Sequence, residues 1–476
     1  MRYRPSPLRG FALVACAALL SACQTFSQDG GMSVAAGIAG ATLNKEVAAI
    51  RSPEQAAAAR ATVERLLRRT LTPDTAVQIA LLNNRGLQAA YNELGIAEAI
   101  RVQQSLPPNP HFSVTRVTGS VETELERQIV ANVLALATLP VRSEIAADRF
   151  RQAQLTAALE TLHVAAETRR AFYRAVAAQE AVALFERANS AAETMTELAR
   201  RLVETGAMNR LDLAREQAFH SDVAVRLAGA RQRALKERER LVRALGLWGN
   251  DLKFSLPKSL PPLPKRPSAL PTVEQEAVRR RVDLQIARIE LETLARSYGL
   301  TSATRFINVL DAGYADKITR EKETGEKVRD RGFTVSFEVP LFDFGEARVR
   351  EAEQTYMQAV NRLAQKAVNV RSEAREAYRG YRASYDIAAH YQLNVLPLHK
   401  VISDEMMLRY GAMQVDVFTL LLDVQQKLNA GVAASDALRD FWLASVDLST
   451  AMTGGGTDAD NAANIALPGA GVAAGH

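Results

Sequence analysis

The sequence predicts an α+β chain in which a few strands feed very long, paired helices. Three observations predict it. Phe333, Val335, Phe337 and Val339 alternate with Thr334, Ser336 and Glu338, the period of a strand with one apolar and one polar face. The period then changes to steps of three and four through Val349, Ala352, Tyr356, Ala359, Leu363, Ala367, Val370, Ala374, Ala377 and Tyr381, a narrow stripe along a helix of about nine turns. Lastly, the same order of elements occurs twice, at an offset of about 200 residues.

Composition bounds the rest. The chain has 476 residues, 47% hydrophobic but only 6% aromatic, so Ala, Leu and Val supply the apolar surface, which suits close-packed helices. Charged residues at 24% argue against a polytopic helical membrane protein, and no stretch after the leader reaches the ~18 apolar residues of a spanning helix. The leader itself has Arg2, Arg4 and Arg9, a short apolar core from Phe11 to Leu20, and Leu20-Ser21-Ala22-Cys23. That ending resembles the bacterial lipobox, with 1–22 a signal peptide and Cys23 the lipidated residue. Gln24 after it points to the outer membrane. Cys16 leaves with the signal, so no thiol remains for a disulfide. The formal charge of +6 falls by three with Arg2, Arg4 and Arg9, too small an excess for a nucleic-acid binder.

Residues 24–42 read as a tether within an anchored segment, 23–70, and Glu46 to Arg69 as a helix. Thr72-Pro73-Asp74 opens a helix to about Gln104: Thr72 is the N-cap, Pro73 takes the first turn, and Asp74 faces the positive dipole end. Pro107, Pro108 and Pro110 stop it. Strands are expected at 110–118 and 127–139 with an acidic turn at Glu122-Thr123-Glu124, although Ile129 to Leu136 also suits a helix. Pro140 opens a helix without a breaker until Gly206, on the order of 95 Å. Gly206-Ala207-Met208-Asn209 turns it, and Leu211 to Leu247 returns as the second arm of a hairpin.

Six prolines between Pro257 and Pro271 mark a linker, 251–271. The pattern then restarts: helix 272–299, strand 304–318, charged loop 319–330, strand 332–339, and a long helix that Pro397 should kink. Leu87-Gln88 aligns with Leu284-Gln285, Pro140 with Pro340, and Gly206-Ala207-Met208 with Gly411-Ala412-Met413. The halves are thus two structural repeats, 71–250 and 272–452, followed by an Ala/Gly tail, 453–476, expected to be disordered.

Four features together carry a resemblance over about residues 70–452: the lipobox, the run Thr72-Pro73-Asp74-Thr75-Ala76-Val77-Gln78-Ile79-Ala80, the passage Val339-Pro340-Leu341-Phe342-Asp343-Phe344-Gly345, and the turn from Gly206 to Asp212. The chain resembles TolC-type outer-membrane factors of the outer-membrane efflux protein family, in their lipoprotein subtype. The resemblance implies an α+β membrane protein: a long α-helical barrel continuous with a 12-stranded β-barrel shared by a homotrimer, four strands per chain. Physics points the same way, because four strands cannot close and an open edge in lipid leaves backbone groups unpaired.

The resemblance further implies a non-enzymatic duct receiving small molecules or metal ions from an inner-membrane pump through a periplasmic adaptor. Gly206, Ala207, Met208, Gly411, Ala412 and Met413 would form the adaptor-contacting tips, although Gly there also serves as a helix C-cap. Asp212 and Asp416 are candidates for an acidic entrance gate, or simply cap helices. Thr334, Ser336 and Glu338 would face the lumen, and Phe333, Val335, Phe337 and Val339 the lipid. His111, His163, His220, His390, His399 and His476 are scattered and give no metal-ligand spacing, so neither metal nor other cofactor is expected. Met406, Met407 and Met413 read as packing. The alternative function is a periplasmic coiled-coil scaffold lipoprotein without a pore.

Overall fold

A computed structural model describes residues 26–412 and 414–455. Cys23, Met413 and the tail from 456 lie outside the described residues. The chain divides into two units, and the long helices contribute to both: residues 26–33 with Asn92–Thr156 and Leu284–Lys366 make one, and Val34–Tyr91, Ala157–Asp283 and the remainder from Ala367 make the other.

The first unit is built on a sheet of four antiparallel strands in sequence order: β1 (His111–Thr118), β2 (Glu122–Asn132), β3 (Leu310–Glu321) and β4 (Lys327–Phe337). The acidic residues expected in a turn lie inside β2, and the expected charged loop shrinks to a tight turn after Glu321. The reason is cross-strand charge pairing, which holds a ladder that composition alone reads as loop. Arg329 donates from Nε and Nη2 to Asp316 at 2.6 and 2.9 Å, and Lys317 Nζ meets Glu124 at 2.8 Å. The ambiguous apolar run after Ile129 divides at Asn132, whose side chain accepts from the Ala135 N–H at 2.6 Å. Strand pairing ends there and a short helix, α5 (Val133–Ala137), begins.

After β4 the chain makes the turn Pro340-Leu341-Phe342-Asp343-Phe344-Gly345. Gly345 has φ +70°, and a Cβ there would collide with the Arg305 carbonyl oxygen. Arg305 Nε in turn donates to Phe344 O at 2.9 Å. Only glycine fits this corner, from which the long helix departs.

In the second unit, α3 (Pro73–Asn83) is capped as its sequence predicts: Thr72 Oγ1 accepts from Thr75 N and the Thr75 side chain answers to Thr72 N. The single helix expected from Thr72 to Gln104 is broken, however, by Asn84 in an extended conformation before α4 (Arg85–Ser105). The same break recurs at Arg281, between α8 (Val273–Arg280) and α9 (Val282–Ala303). Asn84 and Arg281 stand at matching distances before the aligned Leu87-Gln88 and Leu284-Gln285.

Two segments read as loose are held. Residues 32–43, expected to be tether, form α1 (Met32–Leu43), with Ala35 and Ala39 fully buried. Of Glu46 to Arg69, only α2 (Pro53–Leu67) is helical. The stretch before it belongs to neither helix nor strand and is clasped by two glutamines. Gln78 accepts from Glu46 N and donates to Glu46 O, while Gln88 accepts from Ile50 N and donates to Ala48 O. Each amide satisfies a donor and an acceptor that a strand partner would otherwise meet.

The Pro-rich stretch is packed against aromatics. Trp442 Nε1 donates to Pro261 O at 3.0 Å, Tyr385 Oη donates to Pro264 O at 3.1 Å, and the Tyr381 and Tyr378 hydroxyls accept from Ser268 and Leu270 N–H. Behind them Phe441 contacts Tyr381, Tyr385 and Trp442 at 5.2–5.8 Å between ring centroids, in a core with Val370, Ala374 and Ala388.

Four long helices complete the chain: α6 (Leu139–Glu204), α7 (Arg210–Leu245), α10 (Glu346–His390) and α12 (Val417–Thr453). The expected irregularity near Pro397 takes the form of a π-helical turn, Tyr391–Val395, leading into α11 (Leu396–Gly411), because proline brings no N–H to the i−4 carbonyl. Among the described residues no helix is long and apolar enough to cross a membrane.

Candidate functional site

The site is assembled where two helix turns meet. In the first, α6 ends on Gly206 at φ +74°, which lets the N–H groups of Ala207 and Met208 both reach Leu202 O, at 2.8 and 3.1 Å. This left-handed closure needs glycine. Asn209 then caps α7, its Oδ1 accepting from Asp212 N at 2.9 Å and its Nδ2 donating to Asp212 Oδ2 at 2.6 Å. Arg215 pairs with the other oxygen of Asp212 at 3.1 Å.

The second turn is built differently. Gly411 is the last residue of α11 and is helical, and Ala412 follows as the C-cap with φ −84°. Asp416 is the N-cap of α12, accepting from Thr419 N at 2.9 Å and from the Thr419 hydroxyl. These hydrogen bonds, the hydroxyl's first and the backbone's second, hold its carboxyl below the usual range, so Asp416 is an anion. The two turns are therefore not equivalent, despite their matching Gly-Ala-Met sequences.

Both turns line one cavity of about 550 Å³, bounded by Met208, Asp212, Glu216, Tyr410, Gly411 and Asp416 among others. The structure thus brings together five residues that the sequence pointed to, Ala207, Met208, Asp212, Gly411 and Asp416, and adds Glu216, which it did not. Glu216 is 1% exposed, and neither of its carboxylate oxygens has a hydrogen-bond partner. Burial raises its pKa to about 7. The signal was present: Val223, Leu227 and Ala230 are buried on α7 at steps of four and three, and Glu216 lies one heptad before Val223 on that stripe.

The sheet presents a second functional geometry. Cross-strand register aligns Phe112, Ile129, Tyr314 and Phe333 in one row, and Ala131, Ala312 and Val335 in the next on the same face. Phe333 is 87% exposed there, and Phe337 shares its face. Thr334 and Ser336 belong to the opposite face, beside Gly313 and Asp311. Glu338 and Val339 fall just beyond β4, although Glu338 N still reaches Val309 O at 3.3 Å. Farther along the apolar face the rows turn charged, with Arg127, Asp316 and Arg331 abreast.

Comparisons with known proteins agree with this architecture. The outer membrane efflux protein family matches residues 273–396. The solved structure of CusC, described in terms of folding and transmembrane channel formation, superimposes with a TM-score of 0.68 at 16% identity, over 80% of this chain and 92% of that one. The Campylobacter jejuni CmeC outer membrane channel gives 0.69 at 16%, over 80% and 86%. The open state of the Neisseria gonorrhoeae MtrE outer membrane channel gives 0.59 at 18%, over 82% and 89%. No curated protein sequence matches this chain.

Helical hairpins joined to a four-stranded meander define the fold of outer-membrane efflux channels. Residues 273–396 match that family directly, and the chain as a whole shares the fold of the channels to which it is similar.

Proposed function

We propose that three copies of this chain form a passive outer-membrane duct of a tripartite efflux system, passing small molecules or metal ions delivered by an inner-membrane pump and a periplasmic adaptor. The observation that carries it is the sheet. Its outer strands, β1 and β4, have no further strand beside them among the described residues, and one of its faces is apolar where the other is polar. An open meander of this kind is stable in lipid only when neighbouring copies close it. A soluble scaffold has no use for exposed Phe333, Val335 and Phe337 in a single patch.

In this arrangement Phe333, Val335, Phe337 and Val339 face lipid, and Thr334, Ser336 and Glu338 face the lumen. Cys23 carries the lipid, and the protein resides in the outer membrane and reaches into the periplasm. The chain supplies a path and a gate, with no enzymatic step. The two repeats, 71–250 and 272–452, supply two strands and one helical hairpin each, and their turns meet the adaptor. Asp212 and Asp416 lie at the entrance.

The test is the native mass of the protein extracted from outer membranes in mild detergent, followed by conductance in planar bilayers. A trimer with discrete conductance is expected; a monomer without conductance would refute the duct. For the tips, Gly411→Val is the cleaner variant, because Gly411 is already helical and the change costs the backbone little. Export is expected to fall while trimer yield stays constant. Normal export in G411V would refute the contact role of that turn.

A further inference from the structure

The cavity between the two turns has an electrostatic character that a structural turn does not need. Asp212 and Asp416 contribute two carboxylates and Arg215 one guanidinium, which is turned to Asp212. Tyr410 contributes a hydroxyl from α11. Glu216 adds a third carboxylate, buried and without a single hydrogen bond. Burying an ionisable group unpaired is costly, and a fold without a use for it replaces it with Leu at such a stripe position. We infer that this cavity is a binding site for an organic cation of the guanidinium or primary-amine class, with Glu216 as its counter-ion and Asp416 and Tyr410 as its walls.

The chemistry follows from the inventory. With Glu216 protonated the cavity carries one net negative charge; with Glu216 ionised it carries two. The two unpartnered oxygens of Glu216 match the paired N–H groups of a guanidinium, the strongest form of carboxylate recognition. An incoming cation would compensate the burial that now keeps Glu216 neutral, so binding ionises Glu216 and releases its proton. The charged and titratable groups facing it are Asp212 and Arg215 from its own helix, Tyr410 from α11 and Asp416 from the start of α12. Asp423, farther along α12, is buried and also lacks a hydrogen-bond partner.

The cation has two possible sources, an arginine of a protein docked on the turns or a free amine in solution. The partner source rests on the function proposed above, whereas the site itself does not. The experiment is calorimetric titration of agmatine into the detergent-solubilised full-length protein. Saturable binding is expected at pH 8, weakened about tenfold at pH 6 as the ionised fraction of Glu216 falls. Proton release should appear at pH 6, where Glu216 starts out protonated, as a dependence of the heat on the buffer's ionisation enthalpy, and should nearly vanish at pH 8.

E216Q copies the neutral acid in shape, so its native mass should match the parent, while agmatine binding should fall at least about tenfold. Unchanged binding in E216Q, or no saturable binding at pH 8, would overturn the site. The source is read in a second arm, with the purified adaptor encoded in the same genome: weaker adaptor binding by E216Q assigns the cation to the partner, and unchanged adaptor binding with lost agmatine binding assigns it to a free amine. Loss of conductance alone would count against the duct and leave the site standing.

Discussion

Glu216 shows how one residue can make a turn sensitive to pH. Its folded-state pKa is raised to about 7 from the ordinary 4.5, so the fold favours the protonated acid. The contribution is whole below the ordinary value and is lost as pH rises through about 7, where the buried group must ionise or the turn must open. Hydrogen exchange of the first turn, corrected for intrinsic rates, should therefore show more opening at pH 8 than at pH 5. In E216Q the difference should vanish. A parent protein whose turn opens equally at both pH values would show that Glu216 is not the sensor. Gly345 makes the complementary point: no charge is involved, and a single carbonyl from Arg305 decides that the position can hold nothing larger.

At the scale of elements, the clasped segment before α2 shows how side chains can stand in for a missing strand. Gln78 and Gln88 each make two hydrogen bonds to its backbone, worth about 1 kcal/mol apiece in net terms. Replacing both with Ala should release the segment, so trypsin should cut at Lys45 and Arg51 much faster than in the parent. Cutting at the parental rate would mean that other contacts hold it. The sequence could not reveal this clasp, because glutamine on a helix reads as a solvated face.

The elements that were legible had local causes: the Thr72-Pro73 cap, the Gly206 turn and the alternation from Phe333. Those that were missed had distant ones. The Asn84 break is fixed in part by Ala244 O, which accepts from the Asn84 amide, and the charged strands around Asp316 by Arg329. Glu216 lay between these cases, on a visible stripe but with its meaning set by a cavity that four helices share.

In the proposed duct, the whole molecule turns on which face of the sheet meets lipid. Phe333 and Thr334 are neighbours in sequence but belong to opposite faces, so the same charge should act differently at each. Phe333→Arg would place a cation in the apolar band at about 2–4 kcal/mol if near the midplane and should reduce the yield of folded trimer in the membrane. Thr334→Arg should assemble normally and shift ion selectivity toward anions. Reversed outcomes would mean that lumen and lipid faces have been exchanged. The order of elements, and with it the fold, was readable from the sequence because it depends on periodicity and punctuation. The closure of the proposed barrel is readable only as a requirement, since four strands cannot close by themselves.

The Pro-rich stretch bears on the chain as a piece of string. It joins the two repeats covalently, yet its backbone is also gripped by Trp442, Tyr385, Tyr381 and Tyr378 of the second repeat. Covalent continuity there is redundant with non-covalent attachment. A peptide bond cut just after Leu270 would leave the stretch on the first piece yet still fastened to the second by those four aromatics, so this seam is where the gene could be divided into two and its products still find each other.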